Sequence, residues 1–382
     1  MSRALRPTVE LKKGRGISAP ATRQSSVLQL VLEVVGRKTP KKTAIVYIPL
    51  FHCQTKKVDG HTKSAISTWG NGDRLCSPLR ETIISPTMPP EVSMKAMLAL
   101  IGGSGLYSID GIHPLEELEV PTPWGLPSDK VAVVEIGGEL VAFLPRHGKG
   151  HRYLPAEVPS YANIWALKSL GVQQIISVSA VGSLTESFAP GELVLCDGLV
   201  DKTSRKPGSF FGQGVVGHVG FADPFCAGMR EAIAGVLREH NHPHHTSGTY
   251  VCMEGPAFST RAESNLHRSW GAEMIGMTAA PEAKLAREAE ICYATIAMVT
   301  DYDCWTADQE NVSVGIVVET MKKNTAAIQR MIPDIVRALK GRDDCDCRHA
   351  AKSAIMTDPA LIPYDVKRRL ALFYDRYWAT HK

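Results

Sequence analysis

Five segments of this chain bring residues with chemical capacity to places where an α/β protein binds ligands. Gly102-Gly103-Ser104-Gly105 follows an apolar run beginning at Met97, joining a backbone that can approach an anion closely to a hydroxyl that can donate to it. The same string also fits a plain tight turn. Ser108 stands where a dinucleotide fingerprint needs Gly or Ala, and the Gly-Lys-Ser/Thr ending of a nucleoside triphosphate loop is missing, so neither of those phosphate motifs is present. Arg146-His147-Gly148 follows the apolar run 140–144, so a permanent guanidinium charge and an imidazole leave one strand end together. The pair suits an oxyanion, although a surface ion pair beside a structural histidine would look the same. Ser177 to Ser183, with Ser179, Ala180 and Gly182, supplies a third strand end, and Thr278 after Met274-Ile-Gly-Met277 a fourth. Asp301-Tyr302-Asp303 ends the apolar run 291–300 and sets two carboxylates at alternate positions, hence on one side of an extended chain. Read alone, it also fits an exposed acidic turn.

Positioning these segments requires a sheet. Short apolar runs bounded by Gly, Pro or polar residues predict buried strands over 131–136, 140–144, 174–178, 193–195 and 291–300. Helical patterns cover 161–170, 224–240, 259–270, 281–289 and 314–339; in the last, Val318, Met321, Thr325, Ile328, Ile332, Ile335 and Leu339 recur at threes and fours. Strands alternating with helices predict an α/β sandwich around a largely buried sheet.

The 382 residues are 44% hydrophobic and 21% charged, enough for a large core, and the formal charge of +4 is unevenly spread. Residues 1–93 carry an excess of nine positive charges and the remainder an excess of five negative ones. This basic segment has few periodic apolar stretches and reads as a poorly ordered leader. Its first residues are rich in Arg, Ser and Thr with the single acid Glu10, the composition of an organellar transit peptide. Translation from Met94 or Met97, or a functional tail, are the other readings; a nucleic-acid-binding tail has the charge but lacks interleaved aromatics. No stretch has the apolar length of a membrane helix. The odd total of nine cysteines argues for a reducing compartment rather than a secreted disulfide framework. The expectation is a cytoplasmic protein, with organellar targeting by the leader as the alternative. Three regions follow: 1–93, a catalytic domain over 97–340, and a C-terminal extension over 341–382 that packs either on the body or on a neighbour.

Taken together, the segments match one family. From about Met97 to Lys340 the chain strongly resembles the S-methyl-5'-thioadenosine phosphorylases. The matching strings are Ile101-Gly-Gly-Ser-Gly-Leu106, Pro123-Trp-Gly-Leu-Pro-Ser-Asp129, Arg146-His-Gly148 with His151, and Ala162-Asn-Ile-Trp-Ala-Leu-Lys168. They continue in Glu254-Gly-Pro-Ala-Phe-Ser-Thr-Arg-Ala-Glu263, Ile275-Gly-Met-Thr278, Pro281-Glu282 and Thr300-Asp-Tyr-Asp-Cys-Trp305.

The resemblance implies the phosphorylase fold, a central mixed sheet flanked by helices, and phosphorolysis of methylthioadenosine to adenine and 5-methylthioribose 1-phosphate in purine and methionine salvage. A broader purine nucleoside phosphorylase is the alternative, and a water-using nucleosidase a more distant one. By position, the resemblance implies that Ser104, Arg146, His147, Ser179, the Ala180 backbone and Thr278 hold phosphate. Phe258 would lie against the base and Met277 against the ribose, with Asp301, Tyr302 and Asp303 at the purine. Ser259 and Val314 would set substrate preference, with Val317 nearby, and His218 would reach the 5' pocket of an adjoining subunit, implying a homotrimer. Asp301 would act as the acid that protonates the leaving base. Asp at this place accepts from an adenine amino group where Asn would donate to a 6-oxo group. No metal or organic cofactor is implied; phosphate is a co-substrate.

Three departures stand out. Ala279 and Ala280 replace a polar and a larger apolar residue, and Ala257 a common Arg or Gln, which predicts a looser pocket. Cys345-Asp-Cys347 resembles a Cys-x-Cys pair of archaeal and bacterial members. It offers a strained disulfide or, with His349, a metal site, set against ordinary reduced thiols. The tract His240-Asn-His-Pro-His-His245 reads as a metal site or, more simply, as a solvated loop.

Overall fold

The computed structural model describes residues 27–34, 42–49, 96–103, 114–204, 208–306, 314–342 and 344–378. Two units are distinguished, 1–80 and 81–382. Within the first, strands β1 (Val27–Val34) and β2 (Lys42–Pro49) pair antiparallel in unbroken register from Val27 opposite Pro49 to Val34 opposite Lys42. The segment read as a poorly ordered leader therefore carries one hairpin; the rest of it lies outside the described residues.

In the second unit the strands are β3 (Leu98–Gly102), β4 (Glu116–Leu118), β5 (Val131–Ile136), β6 (Glu139–Pro145), β7 (Gln174–Ser183), β8 (Leu193–Leu195), β9 (Gly198–Asp201), β10 (His244–His245), β11 (Thr249–Cys252), β12 (Met274–Gly276) and β13 (Cys292–Asp301). The helices are α1 (Ser160–Ser169), α2 (Ala227–Glu239), α3 (Arg261–Ser269), α4 (Ala279–Glu288), α5 (Val314–Leu339) and α6 (Tyr364–Trp378). All the strands form one mixed sheet, ordered β10-β8-β13-β7-β3-β6-β5-β4, with β12, β11 and β9 continuing from the far end of β7.

The centre is parallel: β7 lies between β3 and β13, and β3 pairs β6, all in the same direction. Such strands are covered on both faces, which explains their nearly continuous apolar sequences. Alternate side chains serve opposite layers. Tyr293, Ala297 and Val299 of β13 join the layer built with α1, α4 and α6, whereas Ala294, Ile296 and Met298 join the one built with α2 and α5. The expected strands and helices agree with these elements to within three residues at each end, except that β7 runs on to Ser183. The sequence reading missed the short strands β4, β9, β10 and β11, which lack the length for a visible period.

The C-terminal extension packs on its own body. Val366, Leu370, Phe373, Tyr374 and Trp378 are the buried stripe of α6, the Phe211 and Tyr374 rings stack at 5.2 Å, and the Tyr374 hydroxyl donates to the Glu288 carbonyl at 2.9 Å. Burial of each such aromatic stabilises by roughly 1.5–3 kcal/mol. Among the described residues no helix is long and apolar enough to cross a membrane.

Candidate active site

Because β3, β6, β7 and β13 run parallel, their carboxyl ends open on the same edge of the sheet. Gly102 pairs with Pro145, and the Arg146 N–H donates to the Gly102 carbonyl at 3.0 Å, so the glycine loop and the Arg-His pair leave the sheet side by side. Ser104 itself lies outside the described residues.

Arg146 is one of the most deeply buried side chains, 2% exposed. Its Nε donates to Glu282 Oε1 at 2.5 Å, Nη2 to Ser177 Oγ at 2.6 Å and Glu282 Oε2 at 3.1 Å, and Nη1 to the Val178 carbonyl at 3.0 Å. A guanidinium has five N–H donors, so these contacts leave one Nη1 hydrogen over. Glu282, 1% exposed, also accepts from the Tyr293 and Ser177 hydroxyls at 3.0 and 3.2 Å. The buried carboxylate cancels the guanidinium charge and, against the cost of burial, holds Arg146 firmly protonated. The mouth is therefore less cationic than the sequence suggests; what it presents to an anion is directed dipoles.

Those dipoles converge. Strand β12 runs antiparallel to β7 with Ile275 opposite Gly182, and Thr278 follows two residues beyond its end. Tyr250, fully buried on β11, sets its hydroxyl against Ser179 and the Thr278 backbone. Neither the Tyr250 nor the Ser179 hydroxyl has a well-formed partner. Thr278 is the N-cap of α4, yet its side chain makes no capping bond, so that hydroxyl and the first N–H groups of the helix are available to an anion. Gly276 is required here, since a Cβ would sit 1.9 Å from the Tyr250 oxygen.

His147 completes this half. Its Nδ1 lies 2.9 Å from the Tyr153 carbonyl, which can only accept, so the ring proton is on Nδ1 and Nε2 carries a lone pair. Burial, helped by the Arg146 charge, pulls its pKa down to about 4. The imidazole is an acceptor at neutral pH.

Three residues along β7 from Ser179, about 10 Å at strand rise, Gly182 pairs with Asp301. A Cβ on Gly182 would stand 3.0 Å from Asp301 Oδ1 and 3.3 Å from Asp303 Cβ, so glycine lets both acids close over the strand end. Asp301 Oδ2 accepts from Thr300 Oγ1 at 2.7 Å and Oδ1 from the Asp303 N–H at 2.8 Å. Burial nevertheless raises its pKa, and the Asp303 charge adds to the effect. Asp303 is held in the left-handed region, φ 51°, which Asp tolerates. It is 6% exposed, with pKa raised by burial and an Oδ2 lacking a well-formed bond. Trp305 locks the turn: its Nε1 donates to the Ser183 carbonyl at 2.9 Å and the Arg268 guanidinium covers its ring at 3.5 Å.

Around the acids, the Cys304 thiol donates to the Ser259 carbonyl at 3.1 Å, bringing the loop that bears the exposed Phe258 against the Asp303 turn. Gly255 lies so close to Met277 that a Cβ would stand 2.5 Å from its sulfur, bringing that loop to β12 as well. Tyr302 meets Trp305 edge-on at 6.3 Å. Val317 is half-buried on the first turns of α5; the Val314 side chain lies outside the described residues. His218 is exposed on a loop tied to the extension, its N–H donating to the Ala354 carbonyl at 2.9 Å.

One expectation is corrected. Ala279 and Ala280 are 1% and 0% exposed in the core, because the first turn of α4 points them inward; they do not loosen a pocket. In the histidine tract, His240 pairs with Asp334 and His245 with Glu192, both at 2.8 Å, and His244 Nδ1 donates to the His242 carbonyl at 2.7 Å. Glu282 and Tyr250 received no role from the sequence. Glu282 had a signal, a lone acid on the helical stripe Ala279, Ala283, Ala286, where a charge must find a buried partner.

A family model, the phosphorylase superfamily, matches residues 97–337. An S-methyl-5'-thioadenosine phosphorylase of Geobacter sulfurreducens is 48% identical over 285 residues, covering 74% of this chain and 100% of that one. A methylthioadenosine phosphorylase from an antarctic soil metagenomic library superposes with a TM-score of 0.70 at 43% identity, over 73% of this chain and 99% of that one. A variant adenosine/methylthioadenosine phosphorylase of Schistosoma mansoni, solved with methylthioadenosine, gives 0.63 at 34%, over 68% and 96%.

Proposed function

We infer that this chain, which belongs to the phosphorylase superfamily and within it to the S-methyl-5'-thioadenosine phosphorylases, splits S-methyl-5'-thioadenosine with inorganic phosphate into adenine and 5-methylthioribose 1-phosphate. The observation that carries this reading is the spacing along β7. Anion-seeking groups gather at Ser179, and two burial-shifted carboxyls stand three residues further on beside Gly182. A ribose spans that interval.

In this reading phosphate rests on the free Nη1 hydrogen of Arg146, the hydroxyls of Ser104, Ser179 and Thr278, the Ala180 backbone and the N-terminus of α4. His147 Nε2 accepts a hydrogen bond from the protonated oxygen of the phosphate, turning an unprotonated oxygen toward C1'. That orientation, and the anion set against a sugar carbon developing oxocarbenium character, supply much of the acceleration. Asp301, whose pKa burial raises, delivers its proton to N7 as the bond to the base breaks and accepts from the 6-amino group through its other oxygen, with Asp303 beside it at the purine. The reaction needs neither metal nor organic cofactor. Phe258 and Met277 flank base and sugar, Ser259, Val314 and Val317 shape the 5' end, and His218 reaches a neighbouring subunit's site in a homotrimer.

Adenine release from methylthioadenosine, measured with and without phosphate, tests the reading. Release that requires phosphate and yields the sugar 1-phosphate is expected; phosphate-independent release would make the protein a nucleosidase. Inosine turned over faster than methylthioadenosine at equal concentration would overturn the assignment of Asp301.

A further inference from the structure

At the other end of β13, far from Asp301, four cysteines meet. Cys226 occupies the N-cap position of α2, Cys292 begins β13, and Cys345 and Cys347 bracket the turn that starts the C-terminal extension. Their Sγ atoms all lie within 4.8 Å of one another, and Cys226 and Cys345 are 3.6 Å apart. A tetrahedral zinc site with Zn–S bonds of about 2.3 Å requires sulfurs about 3.8 Å apart. A disulfide needs about 2.05 Å, and all seven described cysteines are free.

Three of the four ligands are already fixed by their backbones. The Cys226 N–H donates to the Tyr293 carbonyl at 2.8 Å, the Cys292 N–H to the Gln173 carbonyl at 2.9 Å, and the Cys345 carbonyl accepts from the Arg348 N–H at 2.9 Å. We propose that Cys226, Cys292, Cys345 and Cys347 form a closed tetrathiolate site for a structural zinc ion that staples the C-terminal extension to the catalytic body. The thiols give up their protons as the metal binds. The resulting negative charge faces the N-terminus of α2. His349 is not among the converging ligands, so the donor set differs from the Cys-x-Cys-with-His arrangement that the sequence alone suggests. With all four positions taken by protein and no opening for water, the site is structural rather than catalytic.

What the staple holds follows from the next residues. Ile355 bridges Gly217, and the Ala354 carbonyl accepts from His218, so the metal fixes one anchor of the loop that carries His218.

The full chain, purified with a thiol reductant and without chelator, is analysed for metal and by native mass spectrometry. One zinc per chain is expected, released as four thiols are titrated with a mercurial. Cobalt(II) in its place should give the intense visible bands of a tetrahedral tetrathiolate. The C345S/C347S chain, which leaves the sheet and α2 untouched, should lose zinc at least about tenfold, and stripping zinc from the parent should expose 345–378 to protease. Reduced protein that holds no zinc after equilibration with zinc chloride and gel filtration would overturn the proposal. So would a mass showing two disulfides in the reductant-purified protein, or zinc retained by the double variant.

Discussion

Beside the start of β13, Glu290 is 2% exposed and accepts from the Ala351 N–H at 2.9 Å, the Tyr377 hydroxyl at 2.6 Å and the Arg376 guanidinium. Beyond its end, Asp303 is 6% exposed and one of its oxygens has no well-formed bond, while Ser264 Oγ and His267 Nδ1 nearby also lack one. The two acids flank the same buried strand, yet one is saturated by its own chain and the other is held short of partners. A buried polar group left unpaired costs about 1–3 kcal/mol. A fold sustains several of them at one edge only where something else completes them, and the nucleoside and phosphate of the proposed reaction would do so.

Removing an acid from each kind of surrounding tests that contrast. D301N should cut kcat/KM for methylthioadenosine by about 10²–10⁴, with little loss of stability because the side chain keeps its shape. The ratio of inosine to methylthioadenosine turnover should rise, as the amide can donate to a 6-oxo group. An activity loss matched by an equal loss of folded protein would show that Asp301 is structural like Glu290. E282A should instead act on folding first, leaving Arg146 buried without its counter-charge at a cost of about 3–5 kcal/mol, read from denaturant midpoints. If E282A is as stable as the parent, the guanidinium has found solvent and the neutralised mouth described above is wrong.

The finest contrast lies in pH. His147 titrates at about 4 in the fold against an ordinary 6.5. Between those values the unfolded chain binds the extra proton, so stability rises with pH there and is lost as pH falls through the window. Glu288, at the other end of α4 from the mouth, is pushed by burial up to about 7 from 4.5. Between those values the folded chain binds the extra proton, so its contribution falls as pH rises. H147Q should flatten the acid side of a stability-pH curve and E288Q the stretch from mid-acid to neutral. Slopes unchanged in both variants would mean that neither group is desolvated as described.

Much of this was legible in the residues. The central strands announced themselves as uninterrupted apolar runs because burial on both faces leaves no polar positions, and α5 was read to its ends because its twenty-six residues carry a full stripe. The strings Gly-Gly-Ser-Gly, Arg-His-Gly and Asp-Tyr-Asp pointed to strand ends. Strands β4, β9, β10 and β11 escaped because two to four residues hold no period, and with β11 went Tyr250. The burial of Ala279 and Ala280 could not be read either, since alanine suits core and pocket wall alike.

The chain's order of residues alone determined which groups stand at the ends of strands, because side-chain types and two-residue alternation are local properties. Only the tertiary structure decided what those groups face. It turned Arg146 toward Glu282, 136 positions away, and drew Cys226 and Cys292 to a Cys-x-Cys pair on the extension. Partnership across such distances is set by strand order and by the cost of burying charge, neither of which is written in a neighbouring residue.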